Sequence, residues 1–209
     1  MSRPGAGRST NIATALMLDP DLARRIPRLV LMCGSHRLGN VTPSAEFNIW
    51  ADPEAARIVL CSGIRERVVV PLDATHQALV SDEDCGRLAA LGRPAGTAAA
   101  GIIGTRIAGY EQVAPQAVSR SAPTRRALHR LPGRRERDRA HIDVELVGEL
   151  TRGRTVVDLR PIPGQPANAS RAFGTDRVRF LEILLDSFAS SAVDAARKAG
   201  RAWPGRVRW

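Results

Sequence analysis

The sequence predicts an α/β fold: an open, mostly parallel sheet with helices on both faces. Two short apolar runs, at 28–32 and 67–72, have the continuous hydrophobicity of strands that are buried on both sides. A segment with helix-start signals follows each run at close spacing. Strands and helices that alternate in this way are typical of parallel strands joined by crossover helices.

The helices follow from their start and stop signals. Asp52 and Pro53 begin a helix over 52–62, because a cap residue and a proline at the first helical position favour helix entry, and Gly63 suits its end. Ser81 with Asp84 resembles a capping box. The predicted helices cover residues 12–18, 52–62, 82–91 and about 176–198. The three glycines at 96, 101 and 104 weaken the helix prediction for 94–109.

Composition limits the class of protein. A chain of 209 residues with 44% hydrophobic content fits one globular domain. It contains no apolar run near the roughly 18 residues that a membrane span needs, and no secretory signal follows Met1. We therefore expect a soluble, cytoplasmic protein without a membrane partner. Cys33, Cys61 and Cys85 lack C-x-x-C spacing, so we expect buried thiols in a reducing compartment rather than disulfides or zinc ligands.

The positive charge is concentrated in one segment. The formal net charge is +10, and residues 113–139 hold eight arginines against two acids. The segment fits neither helix nor strand periodicity, so we interpret it as an irregular, solvated insertion. A shifted reading frame in GC-rich DNA is an alternative origin. Binding of phosphate or RNA is a weaker alternative, because no aromatic residues for base stacking interleave the arginines.

A polar loop joins the first predicted strand to the helix at 52–62. It carries Asn40, Glu46 and Asn48, and such loops at the carboxyl ends of parallel strands are where open α/β sheets bind ligands. Asparagine and glutamate before a helix also commonly cap backbone donors. The residues alone leave both roles open.

The block from Gly39 to Ala56, Gly-Asn-Val-Thr-Pro-x-Ala-Glu-Phe-Asn-Ile-x-x-Asp-Pro-Glu-Ala-Ala, resembles the nucleoside hydrolases, the inosine/uridine-type N-ribohydrolases. The resemblance covers roughly 5–112 and 140–190, and it implies a strand pair and turn over 141–158. It further implies that Asn40, Glu46 and Asn48 contact the ribose of a nucleoside, with Met32 packed under the sugar.

The same resemblance implies a Ca²⁺ ion that binds the ribose hydroxyls and presents water to an aspartate base. The Asp-x-Asp-x-Gly-x-Asp-Asp cluster that would supply the base and most calcium ligands is absent from the sequence, and 115–125 lacks the expected His-Asp pair. Ala6 aligns with a residue that gives calcium a main-chain carbonyl. We therefore assign no catalytic residue and expect an N-terminally truncated homologue, disrupted at 113–139, with weak or no activity.

Three functions remain open. The first is hydrolysis of the N-glycosidic bond of ribonucleosides; the second is a non-catalytic module that binds a ribose-like ligand or a partner subunit; the third, weaker, is a basic nucleic-acid binder.

An incomplete sheet would expose an edge, so we expect association with a partner or a homo-oligomer. Asp73 and His76 could act as an acid/base pair or as metal ligands, but we favour a structural pair at a strand end. The preferred nucleobase is not predicted.

Overall fold

The computed structural model describes residues 8–113 and 137–189, which form two compact units. The first unit contains residues 8–78 and 137–176, and the second contains 79–113 and 177–189. Ala6 and most of the arginine-rich segment lie outside the described residues, so the predictions made for them stay predictions.

One five-stranded sheet organises the first unit. Its strands are β1 (Leu29–Met32), β2 (Arg67–Val70), β3 (Arg137–Val144), β4 (Thr155–Asp158) and β5 (Ala169–Ala172), in the spatial order β1-β2-β5-β3-β4. The pairs β1–β2 and β2–β5 are parallel, whereas β3 runs antiparallel to both β5 and β4. The α/β prediction is confirmed, with a mixed sheet whose parallel part holds the two strands predicted from apolar runs.

The described helices of this unit are α1 (Arg8–Leu18), α2 (Leu22–Arg25), α3 (Phe47–Trp50), α4 (Pro53–Cys61) and α5 (Leu72–Thr75). Four of these five helices, all but α5, contribute side chains to one apolar core. The core joins α1 and α4 to the sheet through buried side chains that include Leu16, Val59, Val69 and Ile142. The α4 helix begins as predicted, because the Asp52 carboxylate accepts a hydrogen bond from the Ala55 N–H at 3.0 Å.

The second unit is helical in its described part, with α6 (Asp82–Ala89), α7 (Pro94–Val113) and α8 (Arg177–Ala189). The predicted capping box is confirmed: Ser81 Oγ accepts from the Asp84 N–H, and the Asp84 carboxylate accepts from the Ser81 N–H. Asp84 also pairs with Arg177 at 2.7 Å, which ties α8 to the start of α6. The predicted C-terminal helix is present to Ala189, and its last residues fall outside the described part.

The helix over 94–109, whose prediction the three glycines weakened, is present: α7 is continuous for 20 residues. Packing outweighs propensity here. A Cβ on Gly96 would lie 2.6 Å from the Leu88 carbonyl oxygen of α6, so this glycine permits close contact between the two helices. The limits of the irregular segment also need correction, since residues 137–139 belong to β3.

The strand β5, which lies at the centre of the sheet, is not predicted from the sequence. Ala-Ser-Arg-Ala has no β-branched or aromatic residue, so strand propensity gives no signal. Asn168, immediately before β5, completes its pairing with β3. Its side-chain Oδ1 accepts from the Ile142 N–H at 2.8 Å, and its Nδ2 donates to the Ile142 carbonyl at 2.9 Å. One side chain therefore satisfies both backbone groups of Ile142 on the side opposite β4.

Within the described residues, β1 and β4 form the two edges of the sheet.

No described helix is long and apolar enough to cross a membrane.

Two glycines with the same backbone conformation allow a stability test. Gly34, just after β1, has φ +75°, and Gly63 has φ +76°. A Cβ on Gly34 would overlap Thr155 Oγ1 of β4, whereas a Cβ on Gly63 meets no described atom within 4 Å. We expect Gly63→Ala to lower the free energy of unfolding by about 1 kcal/mol, the cost of a left-handed alanine. Gly34→Ala should cost about 2–4 kcal/mol, because overpacking adds about 1–3 kcal/mol. Urea unfolding measures both, and equal losses would contradict the tight contact with Thr155.

Candidate functional site

A tight turn places the polar residues of the loop after β1. The N–H groups of Gly39 and Asn40 donate to the carbonyls of Pro43 and Ala45 at 3.1 and 3.0 Å. Thr42 Oγ1 accepts from the Ala45 N–H at 2.9 Å. A Cβ on Gly39 would overlap the backbone of Thr42 and Ala45, so only glycine fits. The Gly-Asn-x-Thr-Pro sequence therefore fixes where the Asn40 side chain starts.

Asn40 is exposed, and its amide has a defined orientation. Its Oδ1 accepts a hydrogen bond from the Phe47 N–H at 2.9 Å, at the start of α3. Because a backbone N–H can only donate, the atom facing it must be the amide oxygen. The Asn40 Nδ2 is thus turned away from Phe47 and has no hydrogen-bond acceptor among residues 8–113 and 137–189.

Glu46 is buried, with 2% of its surface exposed. Its Oε2 accepts a hydrogen bond from the Gly34 N–H at 2.9 Å. This contact joins the residue before α3 to the chain leaving β1. Next to it, burial and then the negative charge of Glu46 raise the pKa of the Cys33 thiol, so Cys33 stays protonated.

Asn48 lies against the end of β1. Its Nδ2 donates to the Met32 carbonyl at 3.2 Å and lies 3.4 Å from the Met32 sulfur. The carbonyl can only accept, so the atom facing it is the amide nitrogen and Oδ1 points elsewhere. Oδ1 has no donor in the part of the chain that the structure describes.

The structure therefore brings the four residues singled out from the sequence to one place. Glu46 and Asn48 contact the end of β1, where Met32 lies, and Asn40 is joined to them through the Phe47 N–H. Asn40 and Glu46 accept from backbone N–H groups, as the capping role requires, whereas Asn48 donates to a backbone carbonyl. The same contacts leave one amide donor and one amide acceptor for a ligand, so the two roles are compatible.

A second polar group lies at the ends of the neighbouring strands. Asp73 Oδ2 accepts from the His36 N–H at 2.7 Å and lies 3.4 Å from Ser35 Oγ. Burial lowers the pKa of His76, and the nearby Asp73 charge opposes that effect only in part. Among the described hydrogen bonds, the Asp73 carboxylate binds the loop after β1 rather than His76. A structural role for Asp73 at a strand end agrees with the favoured interpretation, but its partners differ from the predicted pair.

The described residues do not fit a calcium site. A calcium ion takes about 6–8 oxygen ligands. No group of three or more His, Cys, Asp or Glu side chains converges in 8–113 and 137–189. The carboxylates near the loop already bind backbone: Glu46 binds Gly34, Asp52 caps α4, and Asp73 binds His36. We therefore derive no chemical step through a metal ion from these residues.

The cysteines differ in part from expectation. All three are free thiols; Cys33 and Cys85 are buried as predicted, but Cys61, at the end of α4, is exposed. Cys61 is the last residue of α4, and the apolar periodicity of a short helix does not show whether its last residue is buried or exposed.

Comparison with known proteins assigns the family. A model of the inosine-uridine preferring nucleoside hydrolase matches residues 5–182. The chain belongs to this family. It is 39% identical over 185 residues to the pyrimidine-specific ribonucleoside hydrolase RihA of Shewanella sp. strain ANA-3, covering 88% of this chain and 58% of that protein. It is 37% identical over 182 residues to the RihA of Escherichia coli O17:K52:H18, covering 86% and 58%.

Solved structures agree with this assignment. The purine-preferring ribonucleoside hydrolase from Gardnerella vaginalis matches with a TM-score of 0.74 and 29% identity, over 87% of this chain and 58% of that one. An inosine-guanosine nucleoside hydrolase matches with a TM-score of 0.72 and 26% identity, over 88% and 60%. The nucleoside hydrolase resemblance is thus confirmed. The present chain spans about 58% of the length of the curated relatives named above.

The Glu46 contact makes a prediction about stability. Glu46→Ala should lower the free energy of unfolding by at least about 1–3 kcal/mol, because it leaves the Gly34 N–H without its acceptor. Glu46→Gln retains a carbonyl oxygen at the same reach and should lose much less. Urea unfolding of the two variants separates the lost acceptor from the lost charge. Equal losses would show that the charge, rather than the hydrogen bond to Gly34, stabilises the loop.

Proposed function

We propose that this chain carries ribose-binding residues of a ribonucleoside N-glycosidic hydrolase. Asn40, Glu46 and Asn48 bind the sugar hydroxyls, and Met32 packs under the ring. Family membership and the shared position of the four side chains at the end of β1 support the proposal. The ligand is a nucleoside or a ribose-like small molecule.

One observation carries the proposal: the amide groups of Asn40 and Asn48 are oriented by the backbone. Phe47 fixes the first amide through its oxygen, and Met32 fixes the second through its nitrogen. Asn40 can then donate to a hydroxyl oxygen, and Asn48 can accept from a hydroxyl proton. Groups held in place before binding lose little entropy on contact with a sugar, which favours both affinity and correct placement of the ring.

The chain supplies less for bond cleavage than for binding. Hydrolysis of a glycosidic bond passes through an oxocarbenium-like state and needs an acid or base to move protons. In the described residues, the carboxylates of Glu46, Asp52 and Asp73 accept hydrogen bonds from backbone N–H groups. We therefore propose that the 209-residue chain binds nucleosides with weak or no turnover, or serves as a non-catalytic binding module. Its relatives differ in named base preference, so both purine and pyrimidine nucleosides are candidate ligands.

A cytoplasmic location is part of the same proposal, supported by three cysteines that are all free thiols.

Titration calorimetry with uridine and inosine tests ligand binding, and a reducing-sugar assay tests release of ribose. We expect Asn40→Ala and Asn48→Ala each to weaken binding about threefold to tenfold, the usual value of one hydrogen bond. Asn11→Ala, in an exposed position of α1, is the matched control and should bind as the unmodified chain does. Loss of affinity in the control as well, or absence of binding by the unmodified chain, would contradict the ribose site. Ribose release comparable to that of active hydrolases would contradict the expected lack of turnover.

We also propose that the chain associates with a second copy through the open edge of β1. The strand Leu-Val-Leu-Met is apolar, and among the described strands it pairs only with β2. The N–H groups of Leu29 and Cys33 donate to Glu66 and Val70 on the β2 side. Because donors alternate along a parallel strand, the Val30 N–H points to the open edge.

Val30→Pro removes an edge donor without removing a bond to β2, so it should reduce association. Val30→Thr keeps the N–H and strand propensity and should associate like the unmodified chain. Sedimentation velocity over a range of concentrations measures the change. A monomer at all concentrations, or equal association of Val30→Pro, would contradict pairing through this edge.

A further inference from the structure

An open cleft lies where the three parallel strands end. Its volume is about 610 Å³. The walls come from the loop after β1, from α5 after β2, and from the end of β5. The lining side chains that bear on a ligand are Arg37, Leu38, Asp73, His76, Arg171 and Phe173. Asn40, Glu46 and Asn48 do not line this cleft, so it is a separate feature of the carboxyl edge of the sheet.

Arg171 is the unusual residue of this cleft. It lies on β5 and is only 9% exposed. Its Nε is fully buried and has no hydrogen-bond acceptor in the described part of the chain. Its ion-pair partner, Asp138 on the neighbouring strand β3, lies 3.7 Å from Nη2, beyond hydrogen-bond reach. The Asp138 side chain is half exposed, so solvent screens its charge.

Burying a guanidinium without an acceptor costs free energy, because the group loses its water. Arg28 and Arg67 also carry buried nitrogens without acceptors among the described residues. Arg67 nevertheless donates through Nε to the Asn168 carbonyl at 2.7 Å, and Arg28 Nε lies 3.3 Å from Glu66. Neither residue lines the cleft. Arg171 therefore combines a buried guanidinium, whose ion pair with Asp138 is long and half exposed, with a place in the wall of a cavity.

The side chains that line the cleft carry a net positive charge. Arg37 is exposed and makes no ion pair with any residue that the structure describes. The cleft carboxylate, Asp73, already accepts from the His36 N–H, as described above. The cleft is thus lined by two guanidinium groups, of Arg37 and Arg171, and by one carboxylate, of Asp73, that already accepts a hydrogen bond. Leu38 and Phe173, 73% and 42% exposed, add apolar surface beside these charges.

We propose that this cleft binds a small organic oxyanion, a phosphate monoester or a carboxylate, through Arg171 and Arg37. Arginine presents several N–H donors in a plane, which matches two oxygens of either group. The organic part of the ligand covers Leu38 and Phe173, since the cavity is larger than a bare oxyanion requires. This site does not depend on nucleoside binding or on hydrolysis.

Titration calorimetry on the full chain tests the site with three probes that share one ring: phenyl phosphate, benzoate and the neutral benzyl alcohol. Buffers contain chloride only, at constant ionic strength. We expect at least one anion to bind and benzyl alcohol to bind at least about tenfold more weakly, because charge-assisted hydrogen bonds are the strong ones. The tighter anion identifies the oxyanion class.

Substitutions then locate the site. Arg171→Gln and Arg37→Gln should each weaken anion binding about tenfold or more. Arg160→Gln is the matched control, because it removes an arginine of the same unit that lines a different surface and pairs with Asp158. It should bind like the unmodified chain. If Arg171→Gln does not fold, as judged by circular dichroism, the exposed Arg37→Gln variant decides the outcome. Absence of anion binding, equal binding of benzyl alcohol, or unchanged affinity in the folded cleft variants would overturn the proposal.

Discussion

The hydrogen bond from the Gly34 N–H to the Glu46 carboxylate is the contact on which the loop after β1 depends. Gly34 contacts three parts of the fold: Glu46 before α3, the start of α5, and β4. Its carbonyl accepts from the Leu72 N–H at 2.9 Å, which fixes the start of α5. Its bare Cα lies against Thr155 of β4. The left-handed conformation and the missing side chain are both required, so Gly34 fixes how the chain leaves β1.

This arrangement explains how a short loop can hold polar groups ready for a ligand. Each of Asn40 and Asn48 uses one amide atom for the backbone and keeps the other available. A side chain bound at one end has few conformations left to lose when a ligand arrives. Contact with the backbone and the proposed contact with a ligand are therefore compatible in one side chain, which is why the sequence left both roles open.

Local signals explain what the sequence predicted well. The helix start at Asp52-Pro53 and the box of Ser81 and Asp84 depend on neighbours within three residues, so the sequence contains all that they require. The dense motif from Gly39 to Ala56 identified the family because its many matching positions lie in one continuous segment, and the family model confirms the assignment. These features need no knowledge of the rest of the fold.

Long-range packing explains what the sequence missed. In α7, Gly96 lies against α6, a fact about a neighbour rather than about propensity, whereas the structure gives no packing reason for Gly101 and Gly104. The strand β5 consists of poor strand formers that the flanking strands β2 and β3 hold in place. Arg171 gave no signal, since nothing in Ala-Ser-Arg-Ala indicates that its arginine is buried beside a cleft. Only the sheet order makes these residues neighbours.

The amide of Asn168 has a wider consequence for the sheet. The first half of β3 pairs with β5 and the second half with β4, so this strand changes its hydrogen-bonding neighbour midway. A change of neighbour ordinarily leaves a peptide group unpaired at the junction. Because a carboxamide has the same donor and acceptor as a peptide bond, Asn168 acts as a strand only one residue long. The β3 strand can thereby pass from β5 to β4 without a gap in its ladder of hydrogen bonds.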